Sequence, residues 1–278
     1  MYGETIKKIR KAKGLSQKNI CKDIVTISYY SRIERNVSEP SIDVFLKILK
    51  VLGVSFDEFM YIHRGGEKSW WHTKWFELTE MYHSHDVDGL LKEKNLLTTE
   101  KESQEVSFFL SMINLFVSRL TFTETSQKHL QVLVNKLLDI ETWTTLELRV
   151  FITLMDQIPL ETNYILVNRI LKKKPYGILT GYDSFFSKLM INIILLSVNE
   201  KNIASGFKYL GIFEENLETR DMYSRNMCLY LKGLLIYEAG EKKLGLDFIS
   251  ESFNIFERLG MEVFKKKYEE YFKQIVEK

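Results

Sequence analysis

The sequence predicts an all-helical protein in two parts, a small N-terminal head and a long body of paired helices, and three observations predict it. Apolar residues recur at three- and four-residue spacings along the chain, without the period-two alternation of a strand. Only 3 prolines and 14 glycines interrupt 278 residues, few enough for long helices. The one stretch with linker composition, Arg64-Gly65-Gly66-Glu67-Lys68-Ser69, separates residues 1–64 from 70–278, with 65–69 as the expected linker.

In the head, Glu4 to Lys13 reads as a first helix with Ile6 and Ile9 inward, Lys7, Lys8 and Lys11 outward, and Gly14 as its stop. Ser16 caps a second short helix that contains Ile20. Thr26 to Asn36 is the central element: Thr26 is an N-cap, Tyr30 and Ile33 form a buried face, and Ser28, Tyr29, Arg32 and Arg35 fall on the other side. Asn36 is one of the few non-glycine types that accepts the left-handed conformation just past a helix end. Two short helices across a tight turn make a helix-turn-helix. After Pro40, Ser41 caps a helix whose Ile42, Phe45, Leu46, Leu49 and Leu52 are expected to close a small core. Gly53 ends it, and Ser55-Phe56-Asp57-Glu58 opens another that runs to His63.

The residues Ile6 to Gln17, as I-x-x-x-R-x-x-K-G-L-S-Q, then Y-S-R-I-E-R at Tyr30 to Arg35 and PSIDVFLKILKVLGVSFDEF at Pro40 to Phe59, resemble the five-helix DNA-binding domain of the Xre/434-type repressors. The family's usual glycine is Asn36 here. The resemblance implies that Arg10 pairs with Glu34 and ties the first helix to the recognition helix. It also implies a double-stranded DNA operator as partner. Ser28, Tyr29 and Arg32 are then the base-edge readers, an arginine fork being suited to guanine O6 and N7, while Gln17, Lys18 and Arg35 hold phosphate. For Tyr29, packing against the neighbouring helix is an equal alternative.

Charge agrees with this division. Residues 1–68 hold thirteen Lys and Arg against eight Asp and Glu, whereas the remainder is mildly acidic, so the head is the part suited to phosphate. Hydrophobic residues at 45% and charged residues at 27% describe a globular chain rather than a disordered one. No secretory signal is apparent, and the apolar run Leu189 to Val198 is about half the roughly 20 residues of a membrane span, so a cytoplasmic location is expected, with no membrane partner. Cys21 and Cys228 form no ligand spacing and read as small buried apolar residues. The run His83-Ser84-His85-Asp86-Val87-Asp88 reads as a turn and cap rather than a metal site. With no phosphate-binding loop, nucleophile elbow or metalloprotease motif, neither an enzyme nor a cofactor is expected.

Beyond the linker, amphipathic helices are expected near 70–84, 86–96, 101–119, 124–140, 143–157, 161–174, 183–200, 202–217, 219–239, 241–259 and 261–277. Tyr223 to Lys278, with small Ala239 and Gly245 where helices are expected to cross, resembles a degenerate tetratricopeptide unit, making the body an α-solenoid. Head, linker and body together resemble the Rgg/MutR regulators, peptide-pheromone receptors of Gram-positive bacteria. That resemblance implies a short linear peptide as second partner. An asparagine carboxamide suits the unpaired backbone of an extended peptide, and Asn192, in LMINIILLSV, and Asn226, four residues before Tyr230, stand in helices where the resembled receptors place clamp residues. Each is either satisfied inside the solenoid or directed at a groove. Arg149, Tyr164, Tyr223, Arg225 and Tyr230 are the further lining candidates, with ordinary core or surface packing as their alternative.

These residues lead to a homodimeric, peptide-controlled transcription factor. Two alternatives stay open on sequence: a ligand-independent dimeric repressor, and a helical scaffold for a protein partner.

Overall fold

The computed structural model describes residues 2–66, 70–123, 125–141, 143–173 and 185–277. Among them are sixteen α-helices and no strand. The head carries α1 Gly3–Ala12, α2 Gln17–Cys21, α3 Ile27–Glu34, α4 Ile42–Leu52 and α5 Phe56–His63. Then come α6 Trp70–His83, α7 Val87–Thr98, α8 Gln104–Leu120, α9 Thr125–Asp139, α10 Thr145–Leu154, α11 Leu160–Lys173, α12 Phe185–Asn199, α13 Ile203–Glu215, α14 Met222–Glu238, α15 Lys242–Arg258 and α16 Glu262–Val276. Each body helix expected from periodicity is present, its ends moved by a few residues. The expected limits at 124, 174 and 183, and Glu67 to Ser69 of the expected linker, lie outside the described residues. The chain divides into two compact units, Met1–Phe122 and Thr123–Lys278.

In the first unit, α1 to α5 close a core of their own from Ile6, Ile9, Ile20, Tyr30, Ile33, Phe45, Ile48, Leu49, Leu52 and Phe59. Each turn into it is chemically specified. Ser16, Thr26, Ser41 and Ser55 accept hydrogen bonds from the backbone N–H three residues on, and Ser16 and Ser55 do so within complete capping boxes. Gly14 and Gly53 take left-handed backbone at the ends of α1 and α4. One expectation fails on α4: Ile42 is 63% and Leu46 46% exposed, because its inward stripe runs through Phe45, Ile48, Leu49 and Leu52. At 100° per residue, a helix this short turns only one side to so small a core, and Ile42 and Leu46 fall on its rim. Farther along the unit, Asp86 caps α7 by accepting from Gly89 N–H at 2.8 Å, directly after His85 in left-handed backbone, which is the turn and cap expected there.

In the second unit, α12 packs beside both α10 and α14, with α13 against both α12 and α14 and α11 against α12. The helices α14 and α15 cross closely. A Cβ on Gly245 would lie 2.7 Å from the Gly233 carbonyl oxygen, and one on Gly233 2.9 Å from that of Gly245. The close partner of Gly245 is thus Gly233. Ala239, expected in that role, is the exposed C-cap of α14. The final helix α16 buries only Tyr268 among its residues and is held through tyrosine hydroxyls and through ring contacts of Phe264, Tyr268 and Phe272. No helix among the described residues is long and apolar enough to cross a membrane.

Candidate functional site

The turn between α2 and α3 spans Lys22 to Val25, with Asp23 in left-handed backbone. Tyr30 (0% exposed) and Ile33 (1%) anchor one side of α3 in the core, which leaves Ser28 and Arg32 exposed on the other. Thr26 fixes the start by accepting from the Tyr29 N–H at 3.3 Å. Asn36, at φ 58°, reverses the chain at the end. The half-buried Tyr29 ring packs on the head core and its hydroxyl donates to the Glu39 carbonyl at 3.1 Å, so the side chain also braces the following loop. Lys18 and Arg35 are exposed, and Arg35 Nε donates to the Ser31 carbonyl at 3.3 Å.

Beneath this face, Arg10 donates to Glu34 through Nε at 2.5 Å and Nη2 at 2.9 Å, the bidentate pair the resemblance implied. Gln17 Nε2 adds a bond to Glu34 at 2.8 Å. Burial works to raise the Glu34 carboxyl, but the hydrogen bonds from Arg10 and Gln17 prevail and hold it below the usual carboxylate range. The Arg10 guanidinium is correspondingly raised by its bond to Glu34. Burial likewise pushes the Tyr30 hydroxyl up. Gln17 therefore has a structural contact that the sequence did not suggest: it joins the start of α2 to the end of α3 through Glu34.

The body candidates separate into two groups. Asn192 is half-buried on α12 and donates to the Ile152 carbonyl of α10 at 3.3 Å, a long bond. Arg149, also on α10, lays its guanidinium over the Phe185 ring of α12 at 4.8 Å. These two residues share the α10–α12 seam. The remaining candidates are engaged elsewhere. Asn226 is 4% exposed and donates to the Ser252 carbonyl at 3.1 Å, while Ser252 Oγ donates back to the Asn226 carbonyl. Tyr230 is 0% exposed and donates to the Tyr268 carbonyl at 2.8 Å. Both are core groups that knit α14 to α15 and α16, and neither lines an open surface.

Tyr223 meets the Tyr268 hydroxyl at 3.1 Å, under α16. Tyr164 bonds Ser197 Oγ at 2.9 Å and stacks on Tyr209, placing it among α11, α12 and α13. Ser197 is five residues past Asn192, about 140° around α12, so Tyr164 does not join the seam. Arg225 is exposed and turns back to the Glu218 carbonyl at 3.3 Å. Periodicity had placed Tyr230 at i+4 from Asn226 correctly but carried no information on which helix would cover that face.

A capped recognition helix held on its own small core by a buried ion pair defines a helix-turn-helix transcriptional regulator, and the helix-turn-helix family description matches residues 6–59. The description "HTH-type transcriptional regulator Rgg, C-terminal domain" matches residues 90–270, and the chain belongs to that family. It is a regulator of transcription, not an enzyme. Among solved structures, a candidate transcriptional regulator from Listeria monocytogenes EGD-e is similar with a TM-score of 0.87 at 22% identity, over 99% of this chain and 97% of that one. The SHP pheromone receptor Rgg2 of Streptococcus dysgalactiae is similar at 0.81 and 20% identity, over 99% of both chains. A bacterial peptide pheromone/receptor complex is similar at 0.72 and 18%, again over 99% of both. At these identities the likeness is one of fold.

Proposed function

We propose that this chain is a cytoplasmic, homodimeric regulator that reads operator DNA with α3 and answers to a short linear peptide bound on the α10–α12 seam. In this reading residues 1–64 are the DNA-binding domain, 65–69 a linker, and 70–278 the regulatory and dimerisation domain. A single small head reads few base pairs, whereas two heads about 34 Å apart match half-sites one helical turn apart. The observation that carries DNA reading is the division of α3 itself: Tyr30 and Ile33 are locked inside while Ser28 and Arg32 stand clear. Ser28, Tyr29 and Arg32 then address base edges, and Lys18, Arg35 and the second amide hydrogen of Gln17 address phosphate. Arg32→Ala is expected to cost about 1–3 kcal/mol of discrimination in a titration of operator-region DNA, with the melting temperature unchanged. Equal affinity of both proteins for that DNA overturns the assignment.

Peptide binding is supported by the fold shared with pheromone receptors and by the partly exposed Asn192, which shares the α10–α12 seam with Arg149. The long bond from Asn192 to Ile152 is readily exchanged for a bond to a ligand backbone. The test is calorimetric titration of the full chain with synthetic peptides drawn from small open reading frames next to its gene. For a peptide that binds, Asn192→Ala is expected to weaken association about tenfold, and Asn226→Ala to lower stability while leaving the affinity of the folded protein unchanged. The reverse pattern refutes the seam as the site.

A further inference from the structure

The first turn of α1 touches two distant parts of the head at once. The Gly3 N–H donates to Asn36 Oδ1 at 2.8 Å, and a Cβ on Gly3 would stand 2.0 Å from the Ile33 carbonyl oxygen. Gly3 therefore abuts the very end of α3, and only glycine allows that approach. Two residues on, Thr5 Oγ1 is hydrogen-bonded to His63 Nδ1 at 2.8 Å. His63 is the last residue of α5, where the chain leaves the head core toward Gly65 and Gly66, both in left-handed backbone. Its ring stacks on the buried Phe59 ring at 6.1 Å, and the Tyr2 ring stands against it at 4.9 Å.

We propose that Gly3 to Thr5 is a rigid link that passes the position of the departing chain at His63 to the end of the recognition helix at Asn36. Thr5, His63 and Asn36 are positioning residues for α3: none needs to touch DNA, and each acts through the α1 turn. The geometry favours transmission over simple bracing because the two contacts lie on the same helical turn, whose backbone is fixed by the bond from Ile6 N–H to the Tyr2 carbonyl at 3.0 Å. A displacement of His63 thus moves Gly3 rather than being absorbed between them. It also explains the chemistry at position 36. A glycine there would satisfy the left-handed backbone equally well, but only a side-chain acceptor can hold the Gly3 amide.

The inference rests on α3 being the DNA-reading helix, so the test uses neither DNA nor peptide. Amide exchange of the full chain is followed by mass spectrometry over Ile33 to Val37, a segment that neither Thr5 nor His63 contacts by hydrogen bond. Thr5→Val, which deletes the hydroxyl at constant shape, and His63→Phe, which keeps the ring stack, are each expected to speed exchange there about fivefold. The double variant should add nothing further, since both remove one bond. Thr5→Ser, which restores the hydroxyl, should return the rate to that of the parent. Unchanged exchange at Ile33 to Val37, or an equal rise across Phe45 to Leu52 that marks general loosening of the head, overturns the link.

Discussion

The helices α3 and α12 carry the two proposed faces, and they hold them in opposite ways. In α3, eight residues long, one side is anchored by Tyr30 and Ile33 and the other meets solvent, so its outward residues are held from within the head, by the helix, its caps and its neighbours there. In α12, Phe185, Leu189, Met190, Ile191, Ile193, Ile194 and Val198 are buried against helices on several sides, and the half-buried Asn192 is bonded to the neighbouring α10. A reading face on a small surface helix is a local property. One in a solenoid layer belongs to the neighbours as much as to the helix.

Three changes break or sharpen that contrast, from the largest expected effect down. Glu34→Ala strands the mostly buried Arg10 guanidinium and should destabilise the head by about 3 kcal/mol, read as a loss of amide protection across residues 6–59 with α12 to α15 retained. The same ion pair sets a pH dependence. The carboxyl of Glu34 is lowered in the fold from its ordinary 4.5, so its contribution is complete above that value and disappears as pH falls through the lower folded value. Acid titration of head stability should show this loss, and the Glu34→Gln protein should lack it.

In the body, Gly245→Ala forces a methyl to 2.7 Å from the Gly233 carbonyl and Tyr237 and should cost about 2 kcal/mol in denaturant unfolding, with the head unaffected. The smallest change is Tyr271→Phe. Its hydroxyl lies 3.1 Å from the Leu195 carbonyl and 2.9 Å from Asn199 Oδ1, so about 1 kcal/mol of α16 docking should be lost, read as faster exchange in α16 alone. If instead the head loosens with Gly245→Ala, or α12 to α15 with Glu34→Ala, the local-versus-shared distinction fails.

What could be read from sequence follows the same line. Thr26 and Asn36 at the two ends of α3, the inward Tyr30 and Ile33, and the Ser55 capping box each depend on residues within a few positions of one another, and all stand where the pattern placed them. The body helices were likewise legible, because a 3.6-residue period is a property of one segment. Their partners were not. Asn226 and Tyr230 have the spacing of an open polar face, but α15 and α16 lie over them, and nothing within α14 announces those helices. Ala239 was expected opposite Gly245, but the close partner is Gly233, which only the neighbouring helix reveals. Ile42 and Leu46 failed for a related reason, since the core beneath α4 is too small to reach its rim.

The crossing of α14 and α15 carries a mechanical consequence. Where the Gly233 and Gly245 backbones meet with Ile249 and Tyr237 packed against them, neither helix can slip along the other without driving a carbonyl oxygen or a side chain into its neighbour. The hairpin must tilt as one stiff bar. A displacement of α12, which packs on α14, would then reach α14 and α15 together, and not as a gradual slackening from one to the next.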